Sequence, residues 1–304
     1  MLSFWERRIN QRIYSALARV VPLVTLFVIV LLGATASDFA TNYWLNRDSG
    51  QQTDEAAYPS DEVSKESCNV IGLEIRGCIL TYKPDNYDDA LKLSDDGSCD
   101  TITASEEVVS YLREASKDEK IKAVLIEIDS PGGMPVAAEE IAEGIKTLGK
   151  PSVAWIRGTG TSAAYWVASA AGTIVASSNS DVGSIGVTYS YLDNVEKNTK
   201  DGLTYNMLSA GKYKDIGNPD KPLTADERSL IERDLNIIRD NFISAVAVNR
   251  KLSESKVRAL ADGSSMLGAA AKNNGLVDLL GTQETVYDSL KQLLGGEKPE
   301  ICWP

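Results

Sequence analysis

The chain has 304 residues, of which 43% are apolar and only 7% aromatic, so Ala, Val, Ile and Leu must carry its core. A net charge of −12 argues against a nucleic-acid partner, because phosphate binding needs clustered lysine and arginine. The absence of histidine excludes a Ser-His-Asp triad within the chain; with no CxxC pair among the cysteines either, no zinc-binding pattern is present.

Residues 1–19 carry Arg7, Arg8, Arg12 and Arg19 against the single acid Glu6. Residues 20–37 contain no charge and border on the ~20 residues that span a bilayer. Aromatic residues flank this run, Tyr14 before it and Phe39, Tyr43 and Trp44 after it, as at membrane interfaces. Ala34-Thr35-Ala36 could serve a cleaved signal peptide, but the length of the run and its aromatic border favour a retained single-pass helix. The arginines place residues 1–19 in the cytoplasm and the rest of the chain outside. Residues 38–66 are polar and acidic without apolar periodicity, and read as a linker.

A folded domain is expected over residues 67–294, followed by a tail at 295–304. Val70–Ile75 reads as a strand, and residues 82–99 as a polar loop or insertion. Ser105 with Glu106 and Glu107 opens a helix to about Ala115. A second strand, Ala123–Ile128, ends at Asp129-Ser130-Pro131-Gly132-Gly133, and a helix follows from Pro135 to Leu148, stopped by Gly149-Lys150-Pro151. Ser152–Ile156 is a third strand, leading through Gly158-Thr159-Gly160-Thr161 to Ser162 and a small-residue helix. Thr173–Ala176 is a fourth strand and Thr204–Leu208 a candidate fifth. Thr224 and Glu227 form a capping box for a long helix to Arg250. Ser253 caps a shorter helix, and further helical turns fall near 269–273 and 283–294. Strands alternating with helices indicate an α/β architecture with a largely parallel sheet.

If the domain lies outside the cytosol, its four cysteines have three possible connectivities, and four free thiols are the alternative. Pairing Cys68 with Cys78 fits poorly. A strand between them, rising ~3.3 Å per residue, would hold them beyond the ~5.5 Å Cα separation of a disulfide.

Three segments could carry chemistry. Ser162 follows a strand and opens a helix, the layout of an exposed nucleophile; an ordinary N-cap serine is the alternative. A serine hydroxyl needs a base, and without histidine the precedented base is lysine. The turn at Gly132-Gly133 follows a strand end, where α/β sheets build sites, and offers backbone N–H groups to an oxyanion. Ser209-Ala210-Gly211-Lys212-Tyr213-Lys214-Asp215 supplies two lysines, and spacing alone leaves open which faces inward.

Together these segments resemble the membrane-bound signal peptide peptidases of family S49, which have a Ser-Lys dyad and a crotonase/Clp-protease-like fold of repeated β-β-α type units. The motifs appear in family order: Val70–Ile75, Asp129–Gly133, Gly160–Trp166, Val182–Val187, Gly211–Asp215 and Ala269–Asp278. The resemblance implies Ser162 as nucleophile and Lys214 as general base. It implies Ser184 as the residue orienting that amine, and the N–H groups of Gly133 and Ser162 as the oxyanion hole. It implies neither metal nor organic cofactor, and a homo-oligomer. The substrates would be signal-peptide remnants or membrane-proximal peptides. Where the family has Ser-Gly-Gly-Tyr, this chain has Ser162-Ala163-Ala164-Tyr165, and the added methyl groups are expected to narrow the site. A catalytically silent peptide-binding scaffold and a non-proteolytic crotonase-like acyl-transforming enzyme are the rival readings.

Overall fold

A computed structural model of the chain describes residues 68–83, 99 and 101–304. The expected cytoplasmic segment, membrane helix and linker lie outside the described residues. Among the described residues no helix is long and apolar enough to cross a membrane.

The strands are β1 (Val70–Leu80), β2 (Ile102–Ala104), β3 (Ala123–Gly133), β4 (Ser152–Thr161), β5 (Thr173–Ala176), β6 (Asp181–Gly183), β7 (Ser265–Leu267), β8 (Leu279–Leu280) and β9 (Ile301–Cys302). The helices are α1 (Ser105–Lys117), α2 (Pro135–Thr147), α3 (Ala163–Ser169), α4 (Val195–Lys200), α5 (Ala225–Arg250), α6 (Glu254–Ala259), α7 (Gly268–Asn274) and α8 (Gln283–Leu293). The sheet runs β2-β1-β3-β4-β5-β8, with β9 beside β1 and β6 joining β4 to β7. Only the β6–β7 pair is antiparallel among these. The expected α/β class with a largely parallel sheet is therefore what the chain forms.

Apolar residues on alternate positions of each strand supply the two faces of the sheet. Val124, Ile126 and Ile128 of β3 pack under α1, α2 and α3, with Leu112, Ile141 and Tyr165. Ala123 and Leu125 face the other way, joining Val153, Val175 and the α8 residues Val286 and Leu290. Burial on both faces is why β3 reads as an unbroken apolar run. Glu127 continues the second face, where its buried carboxylate accepts from Arg76 at 3.1 Å and Arg157 at 3.0 Å.

Each long strand bends part-way. The β1–β3 register shifts between Arg76 and Cys78, and the β3–β4 register between Ile128 and Ser130. A bulge of this kind bends a strand and divides it into two arms. The bends carry the second arms of β3 and β4 out to residues 130–133 and 160–161, where the site lies.

Two expectations change. Thr204–Leu208 forms no strand: these residues are exposed, Leu208 almost completely at 99%. Strand propensity expresses fit to a pleated, half-buried surface, and among the described residues no strand lies alongside to provide one. Residues 295–304 are more than a tail. β9 pairs Val70 with Ile301 and Ile71 with Cys302, and the Trp303 ring lies against Gly72, where a Cβ would come within 2.6 Å. Cys302 is bonded to Cys68 with Cα atoms 5.8 Å apart, and Cys78 to Cys99 with Cα atoms 4.9 Å apart. All four cysteines are thus paired in the structure, and Cys68 does not pair with Cys78.

The capping box of α5 is present. Thr224 Oγ1 accepts from the Glu227 N–H, while the Glu227 carboxylate accepts from the Thr224 N–H at 3.0 Å. The Lys221 ammonium first, then the Thr224 donors, hold the Glu227 carboxyl down at about 2. A depressed carboxyl stabilises the fold above its unfolded value of about 4.3 and loses that contribution as pH falls through the folded value. Thermal unfolding of wild type and Glu227→Gln should therefore differ most near neutral pH. The gap between their midpoints should narrow as pH falls from about 4 towards 2.

Candidate active site

Ser162 sits between β4 and α3 with φ 53° and ψ −127°. This is sparsely populated backbone for a residue with a side chain, costing on the order of 1–3 kcal/mol. Two backbone bonds fix it: its N–H donates to Gly183 at 2.8 Å, and its carbonyl accepts from Trp166 at 3.0 Å. No side chain caps α3, so the Ser162 hydroxyl is not spent as an N-cap. The ordinary explanation for a serine at a helix start does not apply.

The second arm of β3 comes up against this turn. Gly132 has φ 116°, and a Cβ there would lie 2.8 Å from Ser162 Cβ and 3.0 Å from the Ala163 nitrogen. Glycine is required by both conformation and space. A Cβ on Gly133 would meet the Ile79 carbonyl oxygen at 2.1 Å. The Met134 N–H donates to that carbonyl at 2.8 Å. Below, Ser130 Oγ donates to the Gly77 carbonyl at 2.6 Å and accepts from the Gly132 N–H at 3.1 Å, tying the turn to β1.

One expected role is corrected here. The Ser162 N–H is engaged with Gly183 and is not free for an oxyanion. The Ala163 N–H, first in an uncapped helix, has no acceptor within that helix. Ala163 thus opens α3 with a backbone N–H that the helix itself does not use, next to the Gly132 turn. The sequence holds no direct signal for this, because the competing acceptor is supplied by the β4–β6 register, Thr161 opposite Gly183.

Ser162, Gly133 and Ser184 line one cleft of about 440 Å³. Trp166 and Phe242, stacked with centroids 4.8 Å apart, form an apolar wall, extended by Ile238 and Val187. Ser184 has φ 50°, and its hydroxyl donates to the Gly263 carbonyl at 2.9 Å, leaving its lone pairs available as acceptors. Of the two alanines, Ala163 lines the cleft, whereas Ala164 is wholly buried in the core, so only one methyl group bears on the site. A larger hollow of about 600 Å³ between α1 and α2 is lined by neither Ser162 nor Gly133.

Lys214 is not brought to this cleft. It lies exposed in the turn after Gly211, and is absent from the cleft lining. Lys212 is held differently: its ammonium donates to Asp226 at 2.8 Å, and this bond raises its pKa above the ordinary lysine value. Among the described residues no cluster of acids or cysteines is placed to hold a metal ion.

The sequence profile of Peptidase family S49 matches residues 145–296. A Synechocystis protein classed as a protease is 35% identical over 188 residues, covering 61% of this chain and 68% of its own. The chain belongs to peptidase family S49. A Methanocaldococcus jannaschii protein classed as a protease is 37% identical over 195 residues, 64% of this chain and 63% of that one. Protease 4 of Haemophilus influenzae is 30% identical over 210 residues, 66% of this chain but 33% of its own length. Several of these relatives thus extend well beyond the matched region. A ClpP1 mutant from Listeria monocytogenes superposes with a TM-score of 0.43 at 15% identity, over 70% of this chain and 92% of that one.

For this S49 chain, Gly132→Ala should slow fluorophosphonate labelling of Ser162 by at least ~100-fold, the scale of losing one oxyanion donor. The far-UV circular dichroism spectrum should be retained, since the clash is confined to the turn.

Proposed function

We propose that the chain is a membrane-anchored serine endopeptidase with a Ser162–Lys214 dyad. The observation that carries the reading is Ser162 itself, an uncapping serine on strained backbone facing the glycine turn across one cleft. Neutral Lys214 takes the Oγ proton as Oγ bonds to the peptide carbonyl carbon. The Gly133 and Ala163 N–H groups receive the oxyanion. The C–N bond breaks as the ammonium returns its proton to the leaving amine. Water, deprotonated by the same amine, then attacks the ester, and its cleavage restores the serine hydroxyl. Ser184 orients the lysine by accepting one of its N–H groups.

One fact favours Lys214 over Lys212. Only a neutral amine can be the base, and the Asp226 ion pair stabilises the charged form of Lys212. Both lysines belong to an exposed region rich in apolar side chains, including Leu203, Met207 and Leu208. Such a surface calls for a covering partner, and we take that partner to be a second copy in a homo-oligomer. Assembly, or movement of the 203–217 segment, then brings Nζ to Oγ. The apolar wall suits the side chains of short apolar peptides, such as signal-peptide remnants or membrane-proximal segments. Residues 20–37 would anchor the chain in the membrane, with the catalytic domain outside the cytoplasm.

In the full-length chain, Ser162→Ala and Lys214→Ala should each lower peptide turnover at least ~1,000-fold, whereas Lys212→Ala should keep most of it. Equal loss in both lysine variants would remove the dyad. Recovery of turnover on mixing the two inactive variants would show that the lysine comes from another copy.

A further inference from the structure

The Ser162 cleft has an apolar wall and one charge. Among the residues that line it, Asp262 alone is charged. Asp262 Oδ1 accepts the Ser264 hydroxyl at 2.6 Å and the Ser264 N–H at 2.9 Å. These bonds, the hydroxyl's first, hold the carboxyl below its usual range, and no lysine or arginine among the described residues contributes. A carboxylate with no ion-pair partner among the described residues therefore stands on the same cleft as the stacked Trp166 and Phe242 rings.

The complement of that combination is a long apolar stem with a cationic head. Lysine and arginine lay their methylenes along apolar surface while the head reaches a charge, and a cation over an aromatic face gains further attraction. The chain contains such an arrangement already. Arg157 lies 4.9 Å over the Trp155 ring while donating to Glu127 at 3.0 Å. We propose that Asp262 is a specificity-determining residue of the Ser162 cleft, favouring peptides that lay a lysine or arginine side chain along the Trp166–Phe242 wall. This rests on the peptidase reading of Ser162. The net charge of −12 works in the same direction, drawing cationic peptides towards the chain.

The test uses the full-length chain and a matched peptide set. Lysine, Nε-acetyl-lysine or norleucine is placed at each of the three positions before the scissile bond, with the N-terminus free or acetylated. For wild type, kcat/KM should be about fivefold higher for lysine than for acetyl-lysine at one position, the upper range for an ion pair at an exposed rim. The ratio should persist when the N-terminus is acetylated; a preference that follows the free N-terminus would overturn the side-chain assignment. Asp262→Asn keeps an acceptor for Ser264 and should bring the ratio near one, while Asp262→Glu should retain a preference. A ratio unmoved in Asp262→Asn, or an equal fall for all peptides, would mean that Asp262 acts only on its own loop and would overturn the proposal. Cleavage of every peptide at equal rates by wild type overturns this inference alone. Cleavage of none, with Ser162→Ala indistinguishable from wild type, overturns the peptidase reading with it.

Discussion

The backbone at Ser162 is the constraint on which the rest of the site depends. A serine at φ 53° is held there because its N–H and carbonyl are both committed, to Gly183 and to Trp166. The first bond ties the turn to β6, the second starts α3. Both must form for the hydroxyl to be thrown clear of the helix end. The cost of the conformation is met by the buried helix that follows, in which every residue from Ala163 to Ser169 is buried. Tyr165 anchors that helix, donating to the Leu276 carbonyl at 2.9 Å, and its burial keeps the phenol protonated well above its ordinary range.

The same constraint explains the glycines of the neighbouring strand. Once Ser162 projects towards β3, the opposing backbone must pass without a side chain, and Gly132 is where it passes. The donors that remain for an oxyanion follow from what the strain consumes. With the serine N–H engaged, the proposed donors are Ala163 at the uncapped start of α3 and Gly133 at the end of β3. A chain without histidine then has to find its base elsewhere, and the ion pair at Lys212 narrows that choice on physical grounds independent of family resemblance.

Much of the fold was legible in the residues. The apolar runs that begin at 70, 123, 152 and 173 are short and rich in β-branched residues, which distinguishes buried strands from helices, and Thr224 with Glu227 announced the long helix. Ser162, Gly133 and Ser184 were legible because each sits at the end of such a strand or in the next glycine-punctuated turn, and the structure gathers all three. What was not legible depends on register or on distant partners. The loss of the Ser162 N–H to Gly183 follows from how β4 meets β6. The two-residue strand at Ile301–Cys302 is too short to show periodicity, and its disulfide partner is 234 residues away. Thr204–Leu208 has the composition of a strand but no neighbour to pair with. Asp262 carries no motif and matters only because the fold sets it on the rim of the cleft.

The central claim is that Ser162 forms a covalent acyl intermediate. The most direct measurement is acid quenching of the full-length chain during turnover of an activated peptide ester, followed by mass spectrometry of its proteolytic fragments. A mass increase equal to the acyl portion of the substrate is expected on the fragment containing Ser162, and none in Ser162→Ala. Ester turnover with no adduct at Ser162, or with the adduct on another residue, would contradict it.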